Sequence, residues 1–205
     1  MPAKRLPLLF AVLTLGLAPL SAAPARAAAD PAASQIASFD SALLDTMKQG
    51  SSLGAKGRYR KLEPAIEHTF DLPTMAKFAV GPSAWGKFTP QQQQDVIAAF
   101  GKLTIASYAH NFASYGGERF DLDSNVQTRG LDKIVTTHLI RTHDAPVALT
   151  YRMRDSGGGW KVIDVYYGAI SQLTTRHSDF AGPVASGGAA GLIAHLNTLV
   201  ANQQK

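Results

Sequence analysis

The stretch PVALTYRMRDSGGGWKVIDVYY, Pro146 to Tyr167, decides the fold class of this chain. In its first half, apolar and polar residues alternate from Val147 to Arg154, which is the two-residue period of a half-buried strand. A turn follows from Asp155 to Gly159, and an apolar run from Trp160 to Tyr167 completes the stretch. The pattern predicts a β-hairpin with one apolar and one polar face.

More strands precede this hairpin, and helices follow it. Residues 131–142 are rich in β-branched side chains and predict a strand, and residues 118–127 favour one more. After the hairpin, apolar residues recur at helical spacing in two segments, at about 171–181 and 188–202. Consecutive antiparallel strands of this kind form a meander.

The long segment from Thr89 to Gly117 carries the strongest helix signal in the chain. Thr89 as N-cap, Pro90 at the first helical position and Gln92 at the third form a capping box. Two offset apolar rows predict a largely buried helix that ends at Gly116 and Gly117.

Three shorter helices are predicted ahead of it. The first begins at Ser34 and ends at Gly50, after a flexible start at residues 28–33, and a loop is expected at 50–57. A second helix covers 58–68. Asp71 then caps a third that Gly81 ends. The chain therefore predicts an α+β fold, an antiparallel meander sheet covered by helices, in a single domain at residues 28–205.

The first 27 residues have the pattern of a cleavable secretory signal. A basic start at Lys4 and Arg5 precedes an apolar run, and Ala25 and Ala27 give the small-residue cleavage spacing. We expect no later segment to be apolar enough to span a membrane. Export through a signal with no cysteine in the chain favours a periplasmic protein.

The charge of the chain argues against a nucleic-acid partner. Of its 20 Lys and Arg residues, Lys4, Arg5 and Arg26 lie in the signal. The remaining 17 basic residues and the 15 acidic residues give the rest of the chain a net charge of about +2. The basic residues that remain are not clustered, as a nucleic-acid interface would require.

No motif requires an enzyme, a metal or a cofactor. The sequence lacks a Cys nucleophile, G-x-S-x-G, a P-loop and H-E-x-x-H, and its six His do not fall at ligand spacing on one helix. Asp164 is the one candidate, because it interrupts the apolar strand. A structural hydrogen-bonding role is the simpler interpretation. The alternative is a cone-shaped isomerase or dehydratase with Asp164 as general base and Tyr166 as polarising donor.

Aromatic and Met residues are abundant on segments that must meet on one face of the sheet. Such residues either fill a core or line a cavity, and composition does not distinguish the two.

Three blocks of sequence resemble the MlaC-type periplasmic lipid carriers, also called toluene-tolerance proteins, and particularly the branch associated with hopanoid biosynthesis. They are FDLPTMAKFAVGPSAWGKFTPQQQQDVIAAFGKL from Phe70, ASYAHNFASYGGERF from Ala106, and GWKVIDVYYGAISQLTTRHSDF from Gly159. In the last block, the acidic residue and Gly that the family has before Ile-Ser are Gly168 and Ala169 here.

The resemblance implies a non-enzymatic carrier whose sheet and helices enclose an apolar cavity for acyl chains. It implies a lipid ligand, an inner-membrane ABC transporter with an MCE-domain subunit and an outer-membrane lipoprotein complex as partners. Arg152 and Arg154, on the polar face of their strand, are the candidates for a headgroup or partner contact at the rim. The residues expected to contact lipid are Phe70, Met75, Phe78, Trp85, Phe100, Leu103, Tyr108, Phe112, Val147, Leu149, Tyr151, Met153, Val162 and Tyr166.

Overall fold

In the computed structural model, which describes residues 29–142 and 144–204, helices come first, then strands, then a last helix. The elements are α1 (Pro31–Lys48), α2 (Gly50–Thr69), α3 (Leu72–Val80), α4 (Pro82–Trp85), α5 (Pro90–Asn111), β1 (Arg119–Leu122), β2 (Gln127–Arg129), β3 (Asp132–Ile140), β4 (Val147–Asp155), β5 (Trp160–Tyr167), β6 (Ile170–Ser171) and α6 (Gln172–Gln203). The predicted signal, residues 1–27, lies outside the described residues.

One antiparallel sheet holds the six strands of the described chain. Its order is β1-β3-β4-β5-β6, and β2 pairs with β3 beyond the end of β1. Each of the pairs β3-β4, β4-β5 and β5-β6 joins strands that are consecutive in sequence. The predicted α+β fold with an antiparallel meander sheet is therefore confirmed.

A β-bulge interrupts the pairing of β4 with β5. Arg152 pairs with Asp164 and Met153 pairs with Val162, so Ile163 is the extra residue. Because side chains alternate along a strand, one extra residue moves every later side chain of β5 to the opposite face. Val162 and Tyr166, both predicted to contact lipid, therefore lie on opposite faces of the sheet.

The helices pack on one face of the sheet. Phe70, at the end of α2, forms a parallel bridge with Val162, and the next backbone amide, of Asp71, donates to the Val162 carbonyl at 2.9 Å. Edge-to-face contacts join Phe39 of α1 to Phe70 at 5.2 Å and to Tyr108 of α5 at 5.3 Å. This aromatic cluster fixes three helices against the sheet.

The helix boundaries differ from prediction at three places. Asp30, not Ser34, caps α1, because its carboxylate accepts from the Ala32 amide at 2.8 Å. The expected loop at 50–57 is helical apart from a kink at Gly54, whose positive φ of 59° suits glycine. The long helix α5 has the predicted capping box but ends at Asn111, several residues before the glycines.

The two predicted C-terminal helices form one element, α6, with a break at Gly188. By length and composition α6 could cross a membrane, contrary to our expectation for this part of the chain. Helices of soluble proteins can have the same length and composition. Leu173, Phe180, Leu192 and Leu196 of α6 are buried in the core, whereas only 17% of its apolar window is buried.

The turn between α1 and α2 is held tightly against the end of α5. Arg58 donates through Nε to the Ala109 carbonyl at 2.7 Å and through a terminal nitrogen to the Gly50 carbonyl at 2.9 Å. A Cβ at Gly50 would overlap the backbone carbonyl of Ala113. Only glycine therefore fits at the start of α2 without movement of the backbone.

Replacing Gly50 by Ala is expected to lower the free energy of unfolding by about 1–3 kcal/mol, because overpacking against backbone cannot be relieved by a side-chain rotation. Urea denaturation measures the change. Gly187→Ala is the matched control: it lies in α6 with open space around its Cβ position, so it should be neutral or raise stability by up to about 1 kcal/mol. If the two variants were equally stable, the close packing of Gly50 against the Ala113 carbonyl would be refuted.

Candidate functional site: a pocket between the sheet and two helices

A pocket of about 440 Å³ opens between the sheet, α5 and the start of α6. Its wall is formed by Phe70, Met75, Phe100, Leu103, Thr104, Ser107, Tyr108, Asn111, Phe112, Leu139, Arg141, Val147, Leu149, Val165, Tyr167, Gln172, Leu173 and Arg176. The volume is within the usual range for small-molecule sites.

The wall changes character along α5. Phe100 and Leu103, in the middle of the helix, are buried and apolar, whereas Ser107 and Asn111 follow toward its C-terminal end, and Asn111 is exposed. The side chain of Tyr167, on the sheet side, is also exposed. The pocket therefore has an apolar floor and a mouth that contains polar groups.

Eight of the residues predicted to contact lipid line this pocket. They are Phe70, Met75, Phe100, Leu103, Tyr108, Phe112, Val147 and Leu149. Tyr151, Met153 and Val162 are fully buried in the core and are not part of its wall, and Trp85 packs against Phe88. Phe78 is exposed on α3. Lipid contact by these residues stays a prediction.

The bulge in β5 decides which of its residues face the pocket. Val165 pairs with Tyr151 and Tyr167 pairs with Leu149, so both face the pocket, whereas Tyr166 lies opposite Thr150 on the other face. Val162 and Ile163 are consecutive and both buried. Two consecutive apolar residues at this point are the sequence signal that side chains do not alternate regularly along β5.

Arg152 and Arg154 lie on the face of the sheet away from the pocket. They donate to opposite oxygens of the Asp132 carboxylate, each through Nε at 2.6 Å. The hydrogen bond from Arg154, followed by that from Arg152, lowers the pKa of Asp132 against the opposing effect of burial. The structure therefore does not bring these two arginines to the rim of the pocket.

Gly168 and Ala169 form the tight turn between β5 and β6, where Gly168 has a positive φ of 59°. They border a shallow depression on the outer face together with Arg129 and Arg152. The departure from the family pattern thus lies beside the outer arginines and next to Tyr167.

Two other arginines, Arg141 and Arg176, line the pocket, and our sequence reasoning did not identify them. Arg141 follows the last residue of β3, and Arg176 lies in the second turn of α6. Neither position belongs to an alternating pattern, so only the three-dimensional arrangement brings them together.

Asp164 holds the end of β5 to the start of α6. One carboxylate oxygen accepts from the backbone amides of Val165 at 2.8 Å and Leu173 at 3.2 Å, and the other accepts from the Ser171 hydroxyl at 2.7 Å. Asp164 is absent from the pocket wall. These contacts favour the structural interpretation over a general base.

Asp164→Asn is expected to lower the free energy of unfolding by about 1–3 kcal/mol, because hydrogen bonds to a neutral amide are weaker than the charge-assisted bonds that the carboxylate accepts. Thermal and urea unfolding measure the loss. Asp121→Asn, at an exposed position of β1, should change stability little. If both variants were equally stable, the network around Asp164 would not contribute to the fold.

A buried carboxyl group lies behind the pocket. Asp40 of α1 is buried, and neither of its oxygens, nor the hydroxyl of buried Tyr151, has a hydrogen bond of normal geometry within the described chain. Burial raises the pKa of Asp40 to about 7, and the Thr137 hydroxyl offsets part of that effect. Tyr108 lies between the pocket and the buried side chains of Asp40 and Tyr151. Burial raises the pKa of Tyr108 as well.

The raised pKa makes stability depend on pH in a defined direction. The folded state holds the Asp40 proton more tightly than the unfolded chain, whose carboxyl keeps the ordinary pKa of 3.8. Stability is therefore greatest below that value, falls as the pH rises toward 7 and is flat above it. The full difference corresponds to about 4 kcal/mol.

Asp40→Asn should remove this dependence, so its free energy of unfolding should rise relative to the wild type between pH 4.5 and 7.5. Urea denaturation of the wild type and the variant at both pH values measures how much the free energy of unfolding of each protein changes with pH. Asp45→Asn, on the exposed side of the same helix, should keep the wild-type dependence. A variant at position 40 that kept it as well would show that Asp40 is not the responsible group.

Among residues 29–142 and 144–204, no three His, Asp or Glu side chains are grouped so as to hold a metal ion.

Comparison with known proteins assigns this pocket-bearing α+β fold to a class of lipid-binding proteins. The structure of a phospholipid-binding protein from Ralstonia solanacearum, determined in complex with a phospholipid, is similar to this one. The TM-score is 0.75 at 25% sequence identity, and the match covers 86% of this chain and 100% of that chain. No curated protein sequence matches the chain.

The sequence profile described as MlaC protein matches residues 38–198. The chain therefore belongs to the MlaC family, whose members are periplasmic lipid-binding carriers rather than enzymes. The match starts within α1 and ends within α6, so it covers every strand and the whole pocket wall.

Proposed function

We propose that this protein is a periplasmic carrier that holds the apolar part of a lipid in the pocket between α5, α6 and the sheet. The observation that supports the proposal most directly is the apolar floor formed by Phe70, Met75, Phe100 and Leu103 beneath an open mouth. Membership of the MlaC family and the phospholipid bound by the Ralstonia protein agree with it.

A carrier needs such a floor because lipid chains leave a membrane at a large cost. Moving about twelve methylenes into water costs roughly 10 kcal/mol, so the host must be as apolar as the bilayer. The same burial would trap the lipid unless docking or a change of shape releases it. The open mouth provides a route for that exchange.

The proposal extends to the setting of the protein. Residues 1–27 are a cleavable signal, and residues 28–205 form one lipid-binding domain. The carrier moves a phospholipid or a hopanoid-type lipid between an outer-membrane lipoprotein complex and an inner-membrane ABC transporter with an MCE-domain subunit. The family resemblance of the blocks starting at Phe70, Ala106 and Gly159 supports these partners.

Filling the pocket tests the proposal. Thr104 lies on the pocket wall, and Thr104→Trp should place an indole where the acyl chain lies. After purification from an envelope fraction, native mass spectrometry should find bound lipid in the wild type and only a small fraction of that amount in the variant.

Lys102→Trp is the matched control, because Lys102 is exposed on the outer side of the same helix. It should retain the wild-type amount of lipid. Equal lipid in the two Trp variants would exclude this pocket as the binding site, and absence of lipid from all three proteins, also after incubation with vesicles, would refute a lipid carrier.

A further inference from the structure

We propose that Arg141 and Arg176, together with Ser107, bind the anionic headgroup of the lipid, a phosphate or carboxylate, at the mouth of the pocket. This inference rests on the proposed function and deepens it, because it selects anionic lipids over uncharged lipids with the same chains. All three residues line the pocket.

Two of these residues have buried polar atoms that lack a partner in the described chain. They are Nε of Arg141 and Oγ of Ser107. A buried donor or hydroxyl without a hydrogen bond costs about 1–3 kcal/mol, so such groups are rare unless a bound molecule completes them. Both residues belong to the wall of one pocket, so a ligand bound there lies beside both.

The charge of the wall specifies the sign of that ligand group. Arg141 and Arg176 are the charged residues among the side chains that line the pocket, and neither Asp nor Glu occurs there. Each arginine has an acidic neighbour three residues further on, Asp144 at 3.3 Å and Asp179 at 3.6 Å. Those acids are more exposed than the arginines and lie outside the wall, so the pairs contribute little and leave the guanidinium groups available.

The guanidinium group suits a phosphate or carboxylate because its N–H groups form a planar fork that donates two parallel hydrogen bonds. The amide groups of Asn111 and Gln172 line the same pocket and can donate to further oxygens.

The position of the polar groups favours a lipid headgroup over free phosphate. Ser107 and Asn111 follow Phe100 and Leu103 along α5, so a ligand that satisfies the polar mouth and fills the apolar floor must be amphipathic. Asn111 lies eleven residues after Phe100, a rise of about 16 Å along the helix, so the polar mouth and the apolar floor are well separated along α5.

The test compares two lipids with identical acyl chains. Lipid-free protein is incubated with vesicles containing equal amounts of phosphatidylglycerol and diacylglycerol, and native mass spectrometry gives the ratio of the two in the protein. We expect the wild type to take phosphatidylglycerol in excess. Arg141→Gln with Arg176→Gln should lower that ratio by about tenfold or more, since charge-assisted hydrogen bonds to two guanidinium groups are lost.

The control combines Arg60→Gln with Lys102→Gln, two exposed positions that remove the same charge away from the pocket. It should keep the wild-type ratio, which separates local recognition from general attraction to an anionic membrane. If the wild type took both lipids equally, or if the pocket and control variants shifted the ratio alike, the headgroup assignment would be overturned while lipid carriage stood. Uptake of neither lipid would refute the proposed function itself.

A titration with inorganic phosphate tests whether the arginines bind free phosphate rather than the phosphate of a lipid headgroup. At millimolar concentration without lipid, it should raise the melting temperature of the protein far less than phosphatidylglycerol does. Equal stabilisation by both, abolished in the Arg141→Gln, Arg176→Gln variant, would assign the arginines to free phosphate and overturn a lipid headgroup.

Discussion

The register of β5 on β4 is the constraint on which the site depends. The bulge at Ile163 reverses the alternation of side chains. Val165 and Tyr167 therefore face the helices, on the same side as Val162, which a regular strand would not allow. The same reversal places Asp164 opposite Arg152, where its carboxylate reaches the first turn of α6. One extra residue therefore determines the sheet side of the pocket and fixes the helix that closes it.

The pocket divides its wall between two physical tasks. Its apolar floor is built from residues of the helices and of the sheet face they cover, which are the same kinds of residue that form the core beside it. Its polar mouth is assembled from positions that are far apart in sequence, such as Ser107, Arg141 and Arg176. In the proposed carrier, the floor provides affinity that is indifferent to the headgroup and the mouth supplies charge, so affinity and selectivity can change independently.

The sequence was sufficient for the fold class but only for part of the site. Period-two alternation predicted β4, and the capping box at Thr89 predicted the start of α5, because both signals are local. Phe100, Leu103, Tyr108 and Phe112 of α5 and Val147 and Leu149 of β4 line the pocket for the same reason, and their contact with lipid stays a prediction. Tyr166 does not line it, since a bulge depends on the partner strand. Arg141 and Arg176 could not be found, because nothing local links the end of β3 to α6.

The bridge between Phe70 and Val162 has a consequence for the order of folding. Synthesis proceeds from the N-terminus, so α1 and α2 are complete long before β5 exists, yet their buried side chains pack against that strand. Lys133 likewise reaches back 103 residues to the cap of α1. Contacts of such long sequence separation slow folding. Until β5 is in place, the side chains of α1 and α2 that pack on that strand stay uncovered, and a partly folded chain in that state is prone to aggregate.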